Sequence, residues 1–272
     1  MSDEILQERR SLPVFEIAGR SYSYVWDNRA LLRVPLLVVF AIQFLFAVAA
    51  PTVGPKPGTD QVSMITGLSI ASIVCLMAFA VGVHRTVLLG EIRPGVALLR
   101  WDAHFRRYAR TWLLVFLMTI GCVSAAIIIM TIAARTGSGK PMTTLAVILV
   151  GLAVPLVWLL PRMSLAFPAA AVGVTNPIAY SWRITRGSAM KLLAIFILAT
   201  LPFLLLGLLL AVPTLFAAAM VKLVPSVAMA LKSLTYVFVA VNAGLKALST
   251  AILTVTLSLS YDALAERPAS PE

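Results

Sequence analysis

Acidic residues, cysteine and histidine are scarce in this chain of 272 residues. Its 11 Asp and Glu stand against 22 Lys and Arg, and it holds two cysteines, Cys75 and Cys122, and two histidines, His84 and His104. Both cysteines lie within apolar runs, where a free thiol behaves as a small hydrophobic group. With no CxxC motif and so few histidines, the sequence predicts no structural metal site.

Hydrophobic residues are abundant instead. They make up 60% of the chain against 12% charged residues, and the mean hydropathy is +0.96, far outside the averages of soluble proteins. In a soluble protein a formal charge of +11 would suggest nucleic-acid binding. In a membrane protein, however, basic residues collect in cytoplasmic loops and contact anionic headgroups. The composition therefore predicts an integral membrane protein in contact with the lipid bilayer, and no nucleic-acid partner.

Uncharged apolar runs long enough to cross a bilayer as helices recur along the chain. They predict an all-α, polytopic transmembrane helical bundle of about six spans. Residues 31–262 form this single domain, between an N-terminal segment (1–30) and a tail (263–272). No Asp or Glu lies inside any predicted span. The spans cover residues 31–50, 64–83, 111–133, 142–160, 192–219 and 242–261.

The start of the last span is the least defined, because Val224–Tyr261 is too long for one span. Counting about 20 residues back from Tyr261 places the start near Asn242. Val224–Val241 would then be an amphipathic or re-entrant segment on the outer side.

Lys and Arg alternate between the loops, and this alternation predicts the orientation. Five lie in the N-terminal segment when Arg33, in the first turn of the first span, is counted with it, and six lie in the second loop; the first loop has one and the third has two. Because cytoplasmic loops carry the excess of basic residues, we expect both termini on the cytoplasmic side.

The second loop has an amphipathic pattern. From Pro94 onward, apolar and aromatic residues recur at spacings of three and four, which places them on one face of a helix: Leu98, Trp101, Phe105, Tyr108 and Trp112. Arginines fall on the opposite face: Arg93, Arg100, Arg106, Arg107 and Arg110. An amphipathic helix of this kind lies in the membrane interface, with rings at the acyl boundary and guanidinium groups among phosphates.

These arginines are therefore predicted to contact the headgroups of anionic phospholipids. The fourth loop repeats the pattern more weakly and adds Trp182 as an interfacial aromatic. The alternative is an ordinary juxtamembrane helix that only seats the bundle, since basic inner loops and aromatic belts are general features of membrane proteins.

Lys246 is the one ionisable residue that could lie within a span, and Asn242 and Thr250 share its face. An intramembrane charge is a candidate for an ion or substrate path. If the last helix begins near Asn242, however, Lys246 lies in its second turn and its side chain extends to the interface.

Two segments of the second half resemble a known family. Arg162–Val172 (RMSLAFPAAAV) and Asn176–Gly187 (NPIAYSWRITRG) resemble the signature of bacterial six-span inner-membrane proteins, a family similar to the membrane domain attached to glycerophosphodiester phosphodiesterases; His84–Glu91 and Leu259–Leu264 are also similar to it. The resemblance implies the fold and a place in the bacterial cytoplasmic (inner) membrane. It implies no activity, because the phosphodiesterase of fused members is a separate soluble domain and the non-spanning segments here are too short to fold alone.

No catalytic motif or cofactor-binding motif is predicted. The leading hypothesis is a non-enzymatic membrane protein that is structural or that interacts with anionic lipid or with a membrane-protein partner. The alternative is a small-solute transporter or channel. It would use the polar face around Lys246 and the spans that prolines interrupt, at Pro155, Pro161, Pro202 and Pro213.

Overall fold

The computed structural model describes residues 12–49, 59–136, 157–223 and 228–265. All regular structure in these ranges is helical, and residues 157–164 are helical as well. A short 3₁₀ helix, Gly95–Leu98, precedes α4. The helices are α1 (Val14–Asp27), α2 (Arg29–Ala49), α3 (Thr59–Leu89), α4 (Ala103–Thr136), α5 (Ala166–Val172), α6 (Pro177–Ile184), α7 (Ala189–Leu223) and α8 (Ala228–Leu264).

Five helical stretches are long and apolar enough to cross a membrane: Arg29–Ala49, Asp60–Leu89, Ala103–Ala125, Ala189–Pro213 and Tyr236–Leu264. They confirm the predicted all-α, multi-pass architecture. The predicted span 142–160 lies outside the described residues except for its last four positions, which are helical.

The predicted start of the last helix is wrong. α8 is continuous from Ala228, so no separate re-entrant segment precedes Asn242 within the described residues. The reason is local: no proline or glycine stands between Ala228 and Val241 to break a helix. Lys246 therefore lies in the interior of a long helix and not in its second turn.

α8 packs against α7, α2, α1 and α3. Its buried alanines Ala243, Ala247 and Ala251 are spaced by four, so they form a strip along one face where neighbouring backbones can approach closely. α1, which belongs to the predicted N-terminal segment, also joins the bundle. Its Tyr22 hydroxyl donates a hydrogen bond of 2.6 Å to the carbonyl of Ala199 in α7.

The segment between α3 and α4 folds back along α3. The Leu98 side chain is buried in a cluster with Leu32, Val39 and Phe79. A Cβ atom on Gly82 would lie 2.0 Å from the carbonyl oxygen of Leu98. Glycine is thus required at position 82 because the returning backbone occupies the space of a side chain.

Both ends of the described chain lie at one end of the bundle. Leu12 and Tyr261 belong to the same buried cluster as Leu165 and Leu192, and Leu88 packs against it. Arg85, Arg107 and Lys191 belong to the helices and loops at this end, which we call the basic end.

Candidate functional site

A groove of about 790 Å³ opens between α4 and the segment that contains α5 and α6. Arg107 and Arg110 line one part of it, and Leu114, Met118 and Ile178 line another. Leu114 and Met118 are one and two helical turns beyond Arg110 in the stretch of α4 that is apolar enough to cross a membrane. We call this space the arginine groove. It has positively charged side chains at one end and apolar side chains farther along its wall.

Asp102 determines where α4 begins. Its Oδ1 atom accepts hydrogen bonds from the backbone N–H groups of His104 (2.9 Å) and Phe105 (3.2 Å), as an N-cap carboxylate does. The helix then continues without a break to Thr136. As a result, the arginines in its first two turns and the apolar residues that follow share one rigid element.

Gly173 shapes the opposite wall. It ends α5 in the left-handed conformation, with φ of 100°, which glycine adopts without strain. A Cβ atom on Gly173 would stand 3.0 Å from Nη1 of Arg107. The missing side chain therefore leaves room for the guanidinium group at the mouth of the groove.

Trp182 is held in place as a further wall residue. The guanidinium carbon of Arg162 lies 4.5 Å from the ring centroid of Trp158 and 4.9 Å from that of Trp182, within the range of cation–π attraction. Ser181 Oγ donates a hydrogen bond of 2.6 Å to the carbonyl of Arg162. These contacts attach α6 to the helical residues 157–164 and fix one side of the groove.

The five predicted arginines separate in the structure. Arg107 and Arg110 line the groove, whereas Arg93 and Arg106 are exposed outside it. The prediction for Arg100 is wrong: it is 6% exposed and pairs with Glu91 at 2.7 Å and with Asp102 at 3.4 Å. Since α4 does not begin until Ala103, Arg100 belongs to the segment that packs on α3.

The predicted interfacial aromatics separate in the same way. Trp101 is exposed, and Phe105, Trp112 and Trp182 are half-buried. The prediction for Tyr108 is wrong, because it is 6% exposed and its ring contacts those of His84 and Phe167. The prediction of one helix face is wrong for Leu98 and Trp101, which precede α4, whereas Phe105, Tyr108 and Trp112 do lie on this helix.

Glu91 holds the folded-back segment to α3, a contact that the spacing of residues did not indicate. Its carboxylate accepts hydrogen bonds from Arg85 and Arg100, whose side chains are 10% and 6% exposed. The hydrogen bond from Arg85, opposed by partial burial and aided by Arg100, lowers the pKa of Glu91 from its ordinary 4.5. The ionised carboxylate is thereby stabilised between two cations.

The predicted intramembrane residues lie together at a second, smaller groove of about 420 Å³, lined by Asn242, Lys246 and Thr250 of α8. Gln43 of α2 and Thr200 of α7 line it as well. Sequence reasoning missed these two, because a single polar residue in an apolar run gives no sign of which helix it faces.

Among the described residues, no group of three or more His, Cys, Asp or Glu side chains could hold a metal ion. Comparison of the chain with protein-family models, curated proteins and solved structures finds no match.

Proposed function

We propose that this multi-pass membrane protein binds an anionic phospholipid in the arginine groove, from the cytoplasmic leaflet of a bacterial inner membrane. The proposal rests on one observation: Arg107 and Arg110 line the same groove as the apolar side chains of α4. That arrangement complements an amphiphile, with the phosphate at the arginines and the acyl chain along Leu114 and Met118.

Charge and size both favour this ligand. Guanidinium groups bind phosphate oxygens in pairs of hydrogen bonds, and no carboxylate is found among the described residues that line the groove. The volume of about 790 Å³ is within the range of natural small-molecule sites. The half-buried Trp182 lines the groove, and tryptophan is enriched at headgroup level.

The proposed orientation places both termini in the cytoplasm. The excess of Lys and Arg in alternate loops supports it, as does the meeting of Leu12 and Tyr261 at the basic end. We also propose that the chain has six spans. In the same proposal it belongs to the bacterial inner-membrane family that is similar to the membrane domain attached to glycerophosphodiester phosphodiesterases. The role is non-catalytic: the bound lipid is part of the bundle surface that a membrane partner would meet.

Native mass spectrometry of the detergent-purified protein tests the proposal. Replacement of Arg107 and Arg110 by glutamine is expected to lower the retention of phosphatidylglycerol at least about tenfold, because each lost charge-assisted hydrogen bond contributes on the order of 1.5 kcal/mol or more. The matched control is Arg93→Gln with Arg106→Gln, which removes the same charge from exposed positions outside the groove.

The comparison separates a site from general electrostatic attraction. Wild type and the control variant should retain the anionic lipid equally, and phosphatidylethanolamine should not replace it. Equal loss in both double variants would show that net charge alone governs retention, and no loss in either would show that the groove holds no anionic lipid; each result would refute the proposal.

A further inference from the structure

The second groove lies well inside the membrane-length stretches of α7 and α8. Lys246 is ten residues into the membrane-length stretch Tyr236–Leu264, and Thr200 is eleven residues into Ala189–Pro213. At about 1.5 Å per residue, Lys246 lies roughly 15 Å from Tyr236 and about 27 Å from Leu264, and Thr200 lies roughly 16 Å from Ala189 and about 20 Å from Pro213. α8 itself continues beyond Tyr236 to Ala228. Each residue is therefore separated from both ends of its stretch by at least about half the hydrocarbon thickness of about 30 Å.

Among the described residues, no acidic side chain pairs with the charge of Lys246. Its side chain is exposed and makes no ion pair with the described residues. No Asp or Glu occurs between Asp102 and Asp262, nor between Asp27 and Asp60. The four-carbon side chain reaches only about 6 Å, too short to bring the ammonium group to the interface from this depth.

An exposed ammonium group at this depth cannot face hydrocarbon without a large cost. A second copy of the chain would not neutralise it, because the copy would bring another lysine and no intramembrane carboxylate. A small anionic molecule that enters the groove would supply the missing counter-charge.

The other polar groups of the groove define what that molecule carries. Thr250 Oγ1 donates its hydrogen to the carbonyl of Lys246 at 2.8 Å, and Thr200 Oγ1 donates to the carbonyl of Phe196 at 2.7 Å. Gln43 Nε2 donates to Ser72 Oγ at 2.9 Å. Because these hydrogens are used, Thr200 and Thr250 offer oxygen acceptors, and Gln43 offers its Oε1 acceptor and one remaining amide hydrogen. Lys246 offers donors, and Asn242 offers both donors and an acceptor.

We propose that this groove is an intramembrane binding site for a small organic anion that also carries hydroxyl or ammonium hydrogens. The anionic group pairs with Lys246, and the hydrogens are accepted by Thr200, Thr250 and Gln43. The volume of about 420 Å³ suits a small solute. The site is independent of the arginine groove, and failure of the lipid proposal leaves it unaffected.

Thiol labelling in native membranes tests access and charge preference together. In a background with Cys75→Ala and Cys122→Ser, Asn242→Cys places a thiol one helical turn from Lys246. The probes are an anionic and a cationic methanethiosulfonate, sulfonatoethyl and trimethylammonioethyl. We expect the new thiol to react with both. When each rate is divided by the same reagent's rate with a free small-molecule thiol, the anion should be favoured on the order of tenfold, because the lysine charge lies about 6 Å away in a medium of reduced dielectric constant.

Two controls make the result specific. Adding Lys246→Gln should abolish the preference for the anion while leaving the thiol accessible. Leu205→Cys, beside groove-lining Leu204 but itself outside the groove and 55% exposed, should stay unlabelled until the protein is denatured in dodecyl sulfate.

Three outcomes would overturn the proposal. The thiol at position 242 could stay unreactive in membranes although denaturation exposes it, which would show a groove that is dry or covered by a protein partner. It could react without charge preference, which would show water access but no anion site. Labelling at position 205 equal to that at 242 would show that access is not confined to the groove.

Discussion

Replacing Gly82 by alanine is expected to destabilise the bundle by about 2 kcal/mol, in the range that overpacking of a filled core costs. The new Cβ atom would stand 2.0 Å from the Leu98 carbonyl oxygen and 2.9 Å from the Leu98 Cγ atom. The obstacle is mainly backbone, so no side-chain rotation relieves it. The segment between α3 and α4 would have to leave α3, and the buried Leu98 would leave its cluster.

Gly67→Ala is the matched control, because it lies in the same helix with nothing within 4 Å of the added Cβ atom. Both substitutions raise helix propensity by about 1 kcal/mol, so the difference between them isolates the clash. We expect the thermal unfolding midpoint in detergent to fall for Gly82→Ala and to stay level or rise for Gly67→Ala. Equal midpoints would mean that the segment does not pack on α3 as described.

The second large effect is expected for Glu91→Gln. The substitution leaves Arg85 and Arg100, at 10% and 6% side-chain exposure, without a common carboxylate. Removal of one partner from a buried ion pair costs about 3 to 5 kcal/mol, and we expect about 2 kcal/mol because Glu91 is itself 31% exposed. Glu16→Gln is the control: its pair with Arg20 is 3.5 Å long and largely exposed, so the substitution should change the midpoint little.

The cost of Glu91→Gln should also depend on pH. The folded-state pKa of Glu91 is lowered from 4.5, so its contribution to stability is complete above pH 4.5 and is lost as pH falls through the folded-state value. Below that value wild-type Glu91 is protonated and resembles glutamine. The difference in midpoint between wild type and the variant should therefore be constant from pH 7 to pH 5 and shrink on further acidification. A difference that is constant down to pH 3 would show that the carboxylate charge does not hold the segment.

Length and hydropathy were enough to predict the multi-pass helical fold. Both are local properties, and a membrane-length apolar run has few alternatives to a helix. The start of α8 was missed because it was placed by counting about 20 residues back from Tyr261, whereas a helix can be longer than one span. No proline or glycine between Ala228 and Val241 ends it.

The sites depended on tertiary contacts and were predicted only in part. Spacing found Arg107 and Arg110, yet it also grouped Arg100 with them because it assumed a helix that began at Pro94. The Asp102 cap places the true beginning after Arg100, and the folded-back segment converts that arginine into a buried partner of Glu91. Gln43 and Thr200 could not be assigned to the groove of Lys246, because the packing of α2, α7 and α8 against one another is a tertiary contact that the pattern of a single helix does not predict.

Photo-crosslinking tests the proposed lipid site most directly. Phosphatidylglycerol with a diazirine in one acyl chain would be incorporated into membranes, irradiated, and its adducts mapped by peptide mass spectrometry. We expect adducts concentrated on the apolar lining residues Leu114, Met118, Met163 and Ile178, and lost in the Arg107→Gln, Arg110→Gln variant. Adducts spread evenly over exposed membrane faces such as Leu205 and Leu208, or unchanged in that variant, would contradict a lipid site in the arginine groove.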